Sequence, residues 1–426
     1  MTRTTKTSAL EWLDSIPSDW DEREIGRDVW VRARLGWKGL TAGEYVESGI
    51  PMLATPNIKS PAIQYSQANK ITQERYDESP EIMLKNGDVL LTKDGSTIGT
   101  VNIVRDLVGP ATVNGSIAVL TATGELEGRY LYWFIASSYA QSIFDRLRGG
   151  MGVPHLFQRD INRIRMPRPG LSEQRSIVDY LDRETARIDA LIEEQEHLIE
   201  MLHERRHALV SRAVCFGVDE DVELRDSGDP MIGIVPLHWT VKAVRHWMES
   251  LNGQRIPLSG EERADRRGDF DYYGASGVID KIDDYLFDEP LVLVSEDGAN
   301  LLMRSTPIAF TAKGRYWVNN HAHVLRPRIS GNIDFWANRL DALDVTTVVS
   351  GSAQPKLTAG ALMGLRVSAP DDVAEQSRIA EYLAEETARI DALILEAERF
   401  IELSKERRSA LITAAVTGQI DVRGMA

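Results

Sequence analysis

The sequence predicts an α+β chain in which two mixed α/β domains, related by a pseudo-twofold axis, are separated by two long helices that form an antiparallel coiled coil. The main observation is an internal repeat, because the nine residues ETARIDALI occur at 184–192 and again at 386–394, an offset of 202. Both copies have helical periodicity, and each half of the chain also contains short apolar runs typical of strands. One structural pattern is therefore encoded twice.

The repeat extends well beyond these nine residues. Further motifs occur once in each half: Glu173-Gln174 and Glu375-Gln376, Glu204-Arg205-Arg206 and Glu406-Arg407-Arg408, Ile16-Pro17-x-x-Trp20 and Val235-Pro236-x-x-Trp239, Pro154-x-Leu156 and Pro355-x-Leu357. The sequences between these motifs differ. Recurring motifs around dissimilar intervening sequences indicate two modules with the same task and different targets.

The repeated segments are predicted to be helices of roughly 40 residues, about 60 Å long. Apolar residues fall on a heptad-like seam in each copy, which is typical of a coiled coil. The seam consists of Ile188, Leu191, Gln195, Leu198, Leu202 and Leu209 in the first copy, and of Ile390, Leu393, Ala397, Phe400 and Leu411 in the second. Polar residues at Gln195, Arg205, Ser404 and Arg407 interrupt the seam and are interpreted as register-setting layers or partner contacts. A lone stripe would favour an amphipathic helix on its own domain, but two matched stripes favour pairing with each other.

Helix-stop signals and composition divide the chain into four segments. Gly170 precedes the first long helix, and Gly217 and Gly418 are the predicted stops of the two helices. The predicted segments are residues 1–170 (first α/β domain), 171–215 (first helix), 216–372 (second α/β domain with an acidic linker at its start) and 373–426 (second helix and tail).

Strand signals are similar in the two α/β domains. The apolar runs at 88–92 and 291–295 are each followed by an Asp-Gly turn, Asp94-Gly95 and Asp297-Gly298. Further strands are predicted at 117–121, 308–312 and 323–326. A single helix with an aromatic face is predicted over 130–147.

Composition describes an ordinary globular chain of 426 residues, with 43% hydrophobic and 27% charged residues. We expect a cytoplasmic protein, because the sequence contains one cysteine, Cys215, and shows neither an apolar leader nor a membrane-length apolar window. The net charge of −15 argues against nucleic acid when the chain is taken whole. Most of this acidity lies in residues 173–213, 216–230 and 375–415, whereas residues 144–168 are rich in arginine.

Three further motifs complete a recognisable set: NGDVLLTKDGSTIG at 86–99, YYGASGVI at 272–279 and EPLVLVSEDGAN at 289–300. Together with the paired helices, they resemble the specificity subunit of type I restriction-modification systems over essentially the whole chain. The resemblance implies that each α/β domain is a target-recognition domain for one half of a split site in double-stranded DNA. It also implies that the helices set the gap between the half-sites and dock two methylation subunits, and that restriction subunits join the complex.

The same resemblance implies a chain without a catalytic site or a cofactor of its own. S-adenosylmethionine, ATP and Mg²⁺ are then expected in the partner subunits. The alternative that stays open is a coiled-coil interaction scaffold that binds proteins but no DNA.

Enzyme motifs are few and unconvincing. His203-Glu204-x-x-His207 matches the zinc-hydrolase pattern H-E-x-x-H, but the second copy has Lys405 and Ser409 at the histidine positions. The pair His321-x-His323 leaves metal binding and hydrogen bonding open. The ATP-binding loop, the metal-nuclease pattern and the adenine-methyltransferase motif are not found in the sequence. Cys215 corresponds to Thr417, which favours a thiol without a catalytic role.

Candidate DNA-contacting residues are of types that read base edges or phosphates, since Arg and Lys suit guanine and Asn and Gln suit adenine. A solvated surface role remains the alternative for each one. The candidates in the first domain are Lys93, Arg146, Arg148, His155, Gln158 and Arg159. Those in the second are Arg304, Lys313, Arg315, Asn319, Asn320, His321 and Lys356.

Overall fold

The computed structural model describes residues 3–10, 13–34, 41–148, 154–219, 221–351 and 354–425. The chain divides into two compact units. The first unit consists of Met1–Glu196 and Arg399–Ala426, and the second of His197–Glu398. Each unit therefore combines one α/β lobe with a segment of each long helix.

The first lobe contains short strands and short helices. Its strands β1 to β11 are Thr5–Thr7, Ser15–Pro17, Asp21–Glu24, Val29–Arg32, Ile50–Leu53, Asn69–Ile71, Val89–Thr92, Val101–Ile103, Thr112–Val113, Ile117–Ala122 and Arg165–Arg168. Its helices α1 to α6 are Ile25–Asp28, Thr55–Ile58, Gln73–Asp77, Gly128–Ala136, Ser138–Leu147 and Gln158–Arg163. The long helix α7 follows as Leu171–Phe216.

The second lobe repeats this composition. Its strands β12 to β22 are Leu224–Asp226, Ile234–Pro236, Thr240–Ala243, Met248–Ser250, Arg267–Gly274, Gly277–Ile282, Leu291–Ser295, Ala309–Ala312, Tyr316–Val318, Ala322–Pro327 and Arg366–Ala369. Its helices α8 to α12 are Val244–Trp247, Gly260–Asp265, Asn300–Met303, Ile333–Asp341 and Ala359–Gly364. The second long helix, α13, is Val373–Val416.

The two lobes share one sheet topology. The four-stranded sheets have the antiparallel orders β4-β10-β7-β8 and β15-β21-β18-β19, and the three-stranded sheets have the orders β6-β5-β9 and β17-β16-β20. A short hairpin, β1-β2 or β12-β13, opens each lobe. The divergent middles of the two halves thus adopt the same strand order.

The central strands β7 and β18 are buried on both faces, which explains their unbroken apolar sequences. In β7, Val89 and Leu91 face one hydrophobic cluster while Leu90 faces another. In β18, Val292 and Leu293 face different clusters in the same alternating way. The strand predictions at 88–92, 117–121, 291–295, 308–312 and 323–326 each fall on an observed strand.

The helix predicted over 130–147 is two helices, α4 and α5, which meet at Ser137. The Ser137 backbone is extended, with φ −66° and ψ 148°, and its side chain accepts a hydrogen bond from the Ala140 amide. The same hydroxyl donates to the Phe134 carbonyl at 2.6 Å. A serine that caps the second helix therefore interrupts an otherwise continuous aromatic pattern.

Each long helix is fixed to its lobe by the Glu-Gln pair at its start. In the first unit, Trp20 Nε1 donates to Glu173 at 2.9 Å, and Gln174 Nε2 donates to the Pro169 carbonyl at 2.9 Å. The side-chain oxygen Oε1 of Gln174 also accepts a hydrogen bond from the Glu127 backbone amide at 2.8 Å. These bonds explain why the tryptophan of the opening motif and the Glu-Gln pair recur together.

The second unit repeats the same connections. Trp239 Nε1 donates to Glu375 at 2.8 Å, and Gln376 Nε2 donates to the Pro370 carbonyl at 2.9 Å. The side-chain oxygen Oε1 of Gln376 accepts a hydrogen bond from the Asn332 backbone amide at 3.1 Å. The same set of hydrogen bonds therefore joins lobe and helix in both halves.

Within each unit the two long-helix segments run antiparallel. The Tyr130 hydroxyl in the first unit lies within hydrogen-bonding distance of both the Pro167 carbonyl, just before α7, and the Val416 carbonyl, at the end of α13. In the second unit, Gly217 at the end of α7 lies against Glu375 at the start of α13. The predicted class of two mixed α/β domains with antiparallel long helices is thus confirmed.

Both long helices end at a left-handed glycine, as predicted. Gly217 has φ 83° and Gly418 has φ 73°, which places each in the conformation that favours glycine after a helix. Among the described residues, no helix has both the length and the apolar character needed to cross a bilayer.

The seam of the long helices differs from the prediction by one residue at three positions. The side chains found exposed are Leu191, Leu393 and Phe400. Each precedes an isoleucine that is buried or half-buried instead: Ile192, Ile394 and Ile401. Large apolar residues therefore occur on two adjacent heptad positions, and periodicity alone did not distinguish which of the two faces the partner helix. Of the other predicted seam residues, Ile188, Leu202 and Ile390 are buried, and Leu198 and Leu411 are half-buried.

Candidate nucleic-acid interface

In the first lobe, three loops meet at the end of β7. The Lys93 amide donates to the Ser116 carbonyl at 2.8 Å, and the Leu156 amide donates to the Lys93 carbonyl at 2.8 Å. The Gly95 amide donates to the Pro154 carbonyl at 3.1 Å. We call residues 93–95, 114–116 and 154–156 loop cluster 1.

The second lobe has the same arrangement at the end of β18. The Glu296 amide donates to the His321 carbonyl at 2.8 Å, and the Leu357 amide donates to the Glu296 carbonyl at 2.8 Å. The Gly298 amide donates to the Pro355 carbonyl at 3.0 Å. We call residues 296–298, 319–321 and 355–357 loop cluster 2.

The local sequence explains this shared backbone. The Asp-Gly turns need glycine, because Gly95 and Gly298 have φ values of 92° and 108°. The side-chain oxygens of Asn114 and Asn319 accept the amides two residues later, at 3.1 and 2.7 Å, which forms an Asx turn in each lobe. The third loop is held in each lobe by a fully buried leucine of the Pro-x-Leu motif.

The side chains of loop cluster 1 form a small charged group around Asp94. Lys93 Nζ lies 2.7 Å from one Asp94 oxygen, and His155 Nδ1 bonds to the other. The His155 ring also contacts the Phe157 ring edge-on, with 4.6 Å between ring centroids. A lysine and a histidine are thus held together at the end of β7.

The side chains of loop cluster 2 form two charged groups. His321 Nδ1 lies 2.8 Å from Asp297. Glu296 is paired with Arg255 at 2.7 Å and with Lys356 at 3.3 Å. Burial favours the neutral carboxyl of Glu296, but the hydrogen bond from Arg255 and nearby positive charge outweigh it and lower its pKa. A lysine and a histidine are again presented together.

His323 has a structural role beneath loop cluster 2. Its Nε2 donates to the Leu357 carbonyl at 2.8 Å, and its Nδ1 accepts a hydrogen bond from Asn252 at 2.9 Å. Burial lowers the pKa of His323. His321 and His323 therefore have separate hydrogen-bond partners, which favours the hydrogen-bonding interpretation of this pair over a shared metal ion.

The remaining candidates of the first lobe lie around or away from cluster 1. Gln158 donates to the Val31 carbonyl, and the exposed Arg159 guanidinium lies 5.0 Å from the centre of the Phe157 ring. Arg146 lines a cavity of about 470 Å³ beside α5 and α6, and Arg148 pairs with Asp145 at 2.5 Å. The structure thus brings together Lys93 and His155, with Gln158 and Arg159 on the adjoining segment.

In the second lobe the structure gathers four of the seven candidates. The members of loop cluster 2 are Asn319, Asn320, His321 and Lys356. The other three are paired elsewhere: Arg304 with Asp341, Lys313 with Asp334 at 2.9 Å and Arg315 with Asp288 at 3.0 Å. Arg304 also has φ 53° at the end of α10, so its position reflects a helix-terminating role.

Several residues in or beneath the loop clusters are not identified as site residues by the sequence patterns. Asp94 and Asp297 were identified only as turn formers, although each binds a histidine. Arg255 and Asn252 lie about 40 to 70 positions from their partners in the chain. Their roles depend on the packing of a loop against β21, for which the sequence carries no local signal.

The zinc-like motif of α7 does not form a clustered site. Among the described residues, no group of three or more His, Cys, Asp or Glu side chains is placed to hold a metal ion. Both His203 and His207 are exposed on the helix surface. Cys215 is partly buried in the core of the second lobe.

Comparison with known proteins places these lobes in a family. The family model for the type I restriction modification DNA specificity domain matches residues 42–201 and 236–397. The MjaVIII type I restriction enzyme specificity subunit of Methanocaldococcus jannaschii is 23% identical over 185 residues, 42% of each chain. A putative type I restriction enzyme specificity subunit of Haemophilus influenzae is 30% identical over 138 residues, 32% of this chain and 34% of the relative. The matches thus span less than half the length of these curated relatives.

Two solved structures share the fold. A chain from a study of complex assembly and conformational transition in a type I R-M system aligns with a TM-score of 0.74 at 15% identity, over 95% of this chain and 99% of that one. The HsdS subunit of Thermoanaerobacter tengcongensis aligns with a TM-score of 0.58 at 16% identity, over 97% of this chain and 100% of that one. Because the family model covers most of its length, the chain belongs to the type I restriction-modification DNA specificity family and carries the family's domain twice.

Proposed function

We propose that this chain is the DNA-specificity subunit of a type I restriction-modification complex, in which each lobe reads one half of a bipartite site. One observation carries the proposal. The two loop clusters have the same backbone hydrogen bonds but different side chains: Lys93, Ser116 and His155 in cluster 1, and Glu296, His321 and Lys356 at the corresponding positions of cluster 2. The same backbone arrangement with different polar side chains suits two half-sites of different sequence.

The residue types in the clusters suit contacts with base edges. Lysine donates to guanine, asparagine can bond adenine on two atoms, and histidine offers a ring nitrogen to either a donor or an acceptor. Such contacts specify sequence, whereas phosphate contacts mainly fix position and supply affinity. We therefore assign half-site selectivity to the loop clusters and orientation to the surrounding basic residues.

The acidity of the chain does not conflict with this role. Most of the net charge of −15 lies on the two long helices and the linker at 216–230, outside both loop clusters. The arginine-rich segment 144–168 contains residues 154–156 of cluster 1, and its arginines can neutralise phosphates. Partner subunits that also bind the DNA phosphates would supply the remaining positive charge.

The long helices suit the role of a spacer. Helix α7 has 46 residues and α13 has 44, which corresponds to about 69 and 66 Å at 1.5 Å per residue. Proteins that read two half-sites need them about one helical turn apart, roughly 34 Å, or a multiple of it. We propose that the paired helices hold such a distance.

Exposed apolar residues of the long helices in each unit support docking of two methylation subunits. These residues are Leu191, Phe400 and Leu403 in the first unit, and Leu393, Leu198 and Met201 in the second. All but the half-buried Leu198 are exposed, and the two sets are related by the 202-residue repeat. Large apolar side chains exposed on a surface are typical of protein contacts. Two equivalent sets fit two copies of one partner, and we assign S-adenosylmethionine, ATP and Mg²⁺ chemistry to the partner subunits.

An exchange of lobes tests the proposal. Residues 17–160 are replaced by the matching segment of another family member, and the assembled complex selects its site from a library of random duplexes. We expect one half-site to change while the other half-site and the gap stay the same. A change in both half-sites contradicts modular reading, and a wild-type complex that selects no split site would leave only the protein-scaffold alternative.

A further inference from the structure

Each loop cluster contains one histidine whose Nδ1 is bonded to the aspartate of the Asp-Gly turn. In cluster 1 the pair is His155 and Asp94. In cluster 2 it is His321 and Asp297, with His321 Nδ1 at 2.8 and 2.9 Å from the two carboxylate oxygens. The same histidine–aspartate pair thus occurs at the end of the same strand in both lobes.

The two histidines occupy different positions in the repeated frame. His155 lies in the Pro-x-Leu segment, where the second lobe has Lys356, and His321 lies in the Asn turn, where the first lobe has Ser116. The lysine also changes place, because Lys93 of cluster 1 corresponds to Glu296, whereas Lys356 of cluster 2 corresponds to His155. The shared backbone alone does not account for the histidine–aspartate pair in both lobes, because the equivalent positions carry different residues. What both lobes retain is a histidine bound to the turn aspartate.

The aspartate determines which ring nitrogen is left for a ligand. An ionised carboxylate only accepts hydrogen bonds, so Nδ1 carries the proton that it shares with Asp94 or Asp297. Among the described residues, none forms a hydrogen bond with Nε2 of His155 or His321. Both side chains are partly exposed, at 32% and 47%. Each ring is therefore held by one nitrogen and leaves the other unused.

His323 provides a contrast within the same lobe. Both of its ring nitrogens have protein partners, and its side chain is only 1% exposed. This is the arrangement of a structural histidine, which the lobe can form when it needs one. The open Nε2 of the two cluster histidines is thus a distinct feature.

We infer that His155 and His321 each read one base of their half-site through Nε2, and that Asp94 and Asp297 are positioning residues that fix the ring. This inference rests on the proposed function. In the neutral ring with Nδ1 protonated, Nε2 is an acceptor. Its complement in the major groove is an exocyclic amino group, which adenine and cytosine carry and guanine and thymine lack there.

The test compares site preference in variants of the full chain within its complex. The variants are His155→Ala, His321→Ala, Asp94→Asn and Asp297→Asn, and each complex selects sites from random duplexes. His246→Ala, which removes an exposed histidine of the second lobe outside loop cluster 2, is the matched control. Urea unfolding midpoints of all variants show whether the lobes remain folded.

We expect His321→Ala to lower the preference for adenine or cytosine at one position of one half-site, by about tenfold. The other half-site keeps its selectivity, and His155→Ala has the reciprocal effect. The Asp→Asn variants weaken the preference at the same positions as their histidines, because an amide no longer fixes the proton on Nδ1. His246→Ala changes nothing.

Two outcomes overturn the inference while leaving the proposed function intact. The first is an unchanged preference at every position in a folded His→Ala variant. The second is a uniform loss of affinity for all sequences, which indicates a phosphate contact. A wild-type complex that selects no split site overturns both proposals together.

Discussion

The Arg408 guanidinium pairs with the Asp189 carboxylate between the two long-helix segments of the first unit, with 2.8 Å between Nε and Oδ1. Arg206 and Asp391 form the same pair at the same distance in the second unit. The two pairs are related by the 202-residue offset, because 206 corresponds to 408 and 189 to 391. Each pair thus fixes the register of one helix segment against the other.

A double-mutant cycle should show that this register contact contributes little stability. Both partners are partly exposed, at 31% for Arg408 and 48% for Asp189, so solvent screens the pair. For Asp189→Asn, Arg408→Gln and the double variant, we expect a coupling energy of about 0.2–1 kcal/mol from urea unfolding. A coupling energy well above this range would show that the pair is a main source of stability.

The junction between lobe and helix should be more sensitive in the second unit. When the tryptophan is replaced, Glu375 still has the His238 ring as a partner at 3.0 Å, whereas Glu173 still has the charged Arg3 guanidinium at 2.6 Å. We expect Trp239→Phe to cost about 1.5–3 kcal/mol in the free energy of unfolding, because a buried carboxylate loses a donor. Trp20→Phe should cost less.

Trp30→Phe is the control for these two variants. Trp30 is 56% exposed, so its replacement should change the unfolding midpoint little. Equal losses of stability for Trp239→Phe and Trp20→Phe would contradict the expectation that Arg3 compensates Glu173 for the lost indole donor.

The glycine that ends α13 should tolerate alanine poorly. A Cβ on Gly418 would lie 2.5 Å from Pro17 Cδ, in addition to the cost of φ 73°, whereas a Cβ on Gly217 would have its nearest contacts at 3.7 Å. We expect Gly217→Ala to cost about 1–2 kcal/mol from backbone strain alone and Gly418→Ala to cost clearly more.

Gly228→Ala is the matched control, because Gly228 has φ 74° with nothing within 4 Å of the added carbon. The measurement is the denaturant midpoint of each variant. A Gly418→Ala loss no larger than that of the control would contradict the close packing against Pro17.

Acidification should destabilise the second lobe through His323. Burial lowers the pKa of this histidine in the folded state, so below about pH 6.5 the unfolded chain binds a proton that the folded lobe does not. Its contribution to stability is complete above pH 6.5 and is lost as the pH falls, at up to about 1.4 kcal/mol per pH unit. We expect His323→Gln to flatten the dependence of the unfolding midpoint between pH 7 and 5. The same slope in both proteins would show that other groups dominate.

If the long helices set the gap between half-sites, lengthening both should lengthen the gap. Duplication of residues 190–196 and 392–398 adds one heptad to each helix and preserves the phase of the seam. Seven residues add about 10 Å, or roughly three base pairs at 3.4 Å each. We expect the selected site to have a gap about three base pairs longer. Duplication in one helix alone breaks the matched register and should prevent assembly, whereas an unchanged gap at full affinity contradicts the spacer role.

Much of the fold was predictable because its sequence motifs occur once in each half of the chain. Offsets of 201 to 203 relate the helix starts, the glycine stops and the Asp-Gly turns of the two halves, and each of these signals has a local physical cause. The phase of the helix seam was not predictable, because Leu393 and Ile394 are adjacent and both fit an apolar heptad. The structure settles the choice by burying Ile394 and leaving Leu393 exposed.

The candidate site was predictable only in part. Lys93, His155, His321 and Lys356 follow recognisable turn and strand signals, and the loops bring them together. Arg304 also had a suitable residue type, but it terminates a helix and pairs with Asp341. The contribution of Arg255 depends on a contact about 40 residues away in sequence, which a single sequence does not reveal.

The most direct test of the central claim is a genome-wide map of adenine methylation in the host, with and without this gene. We expect that one split motif, with two half-sites and a fixed gap, loses its methylation in the deletion strain and regains it when the gene is restored. If every motif keeps its methylation in the deletion strain while the partner subunits are expressed, the chain does not direct the complex to DNA.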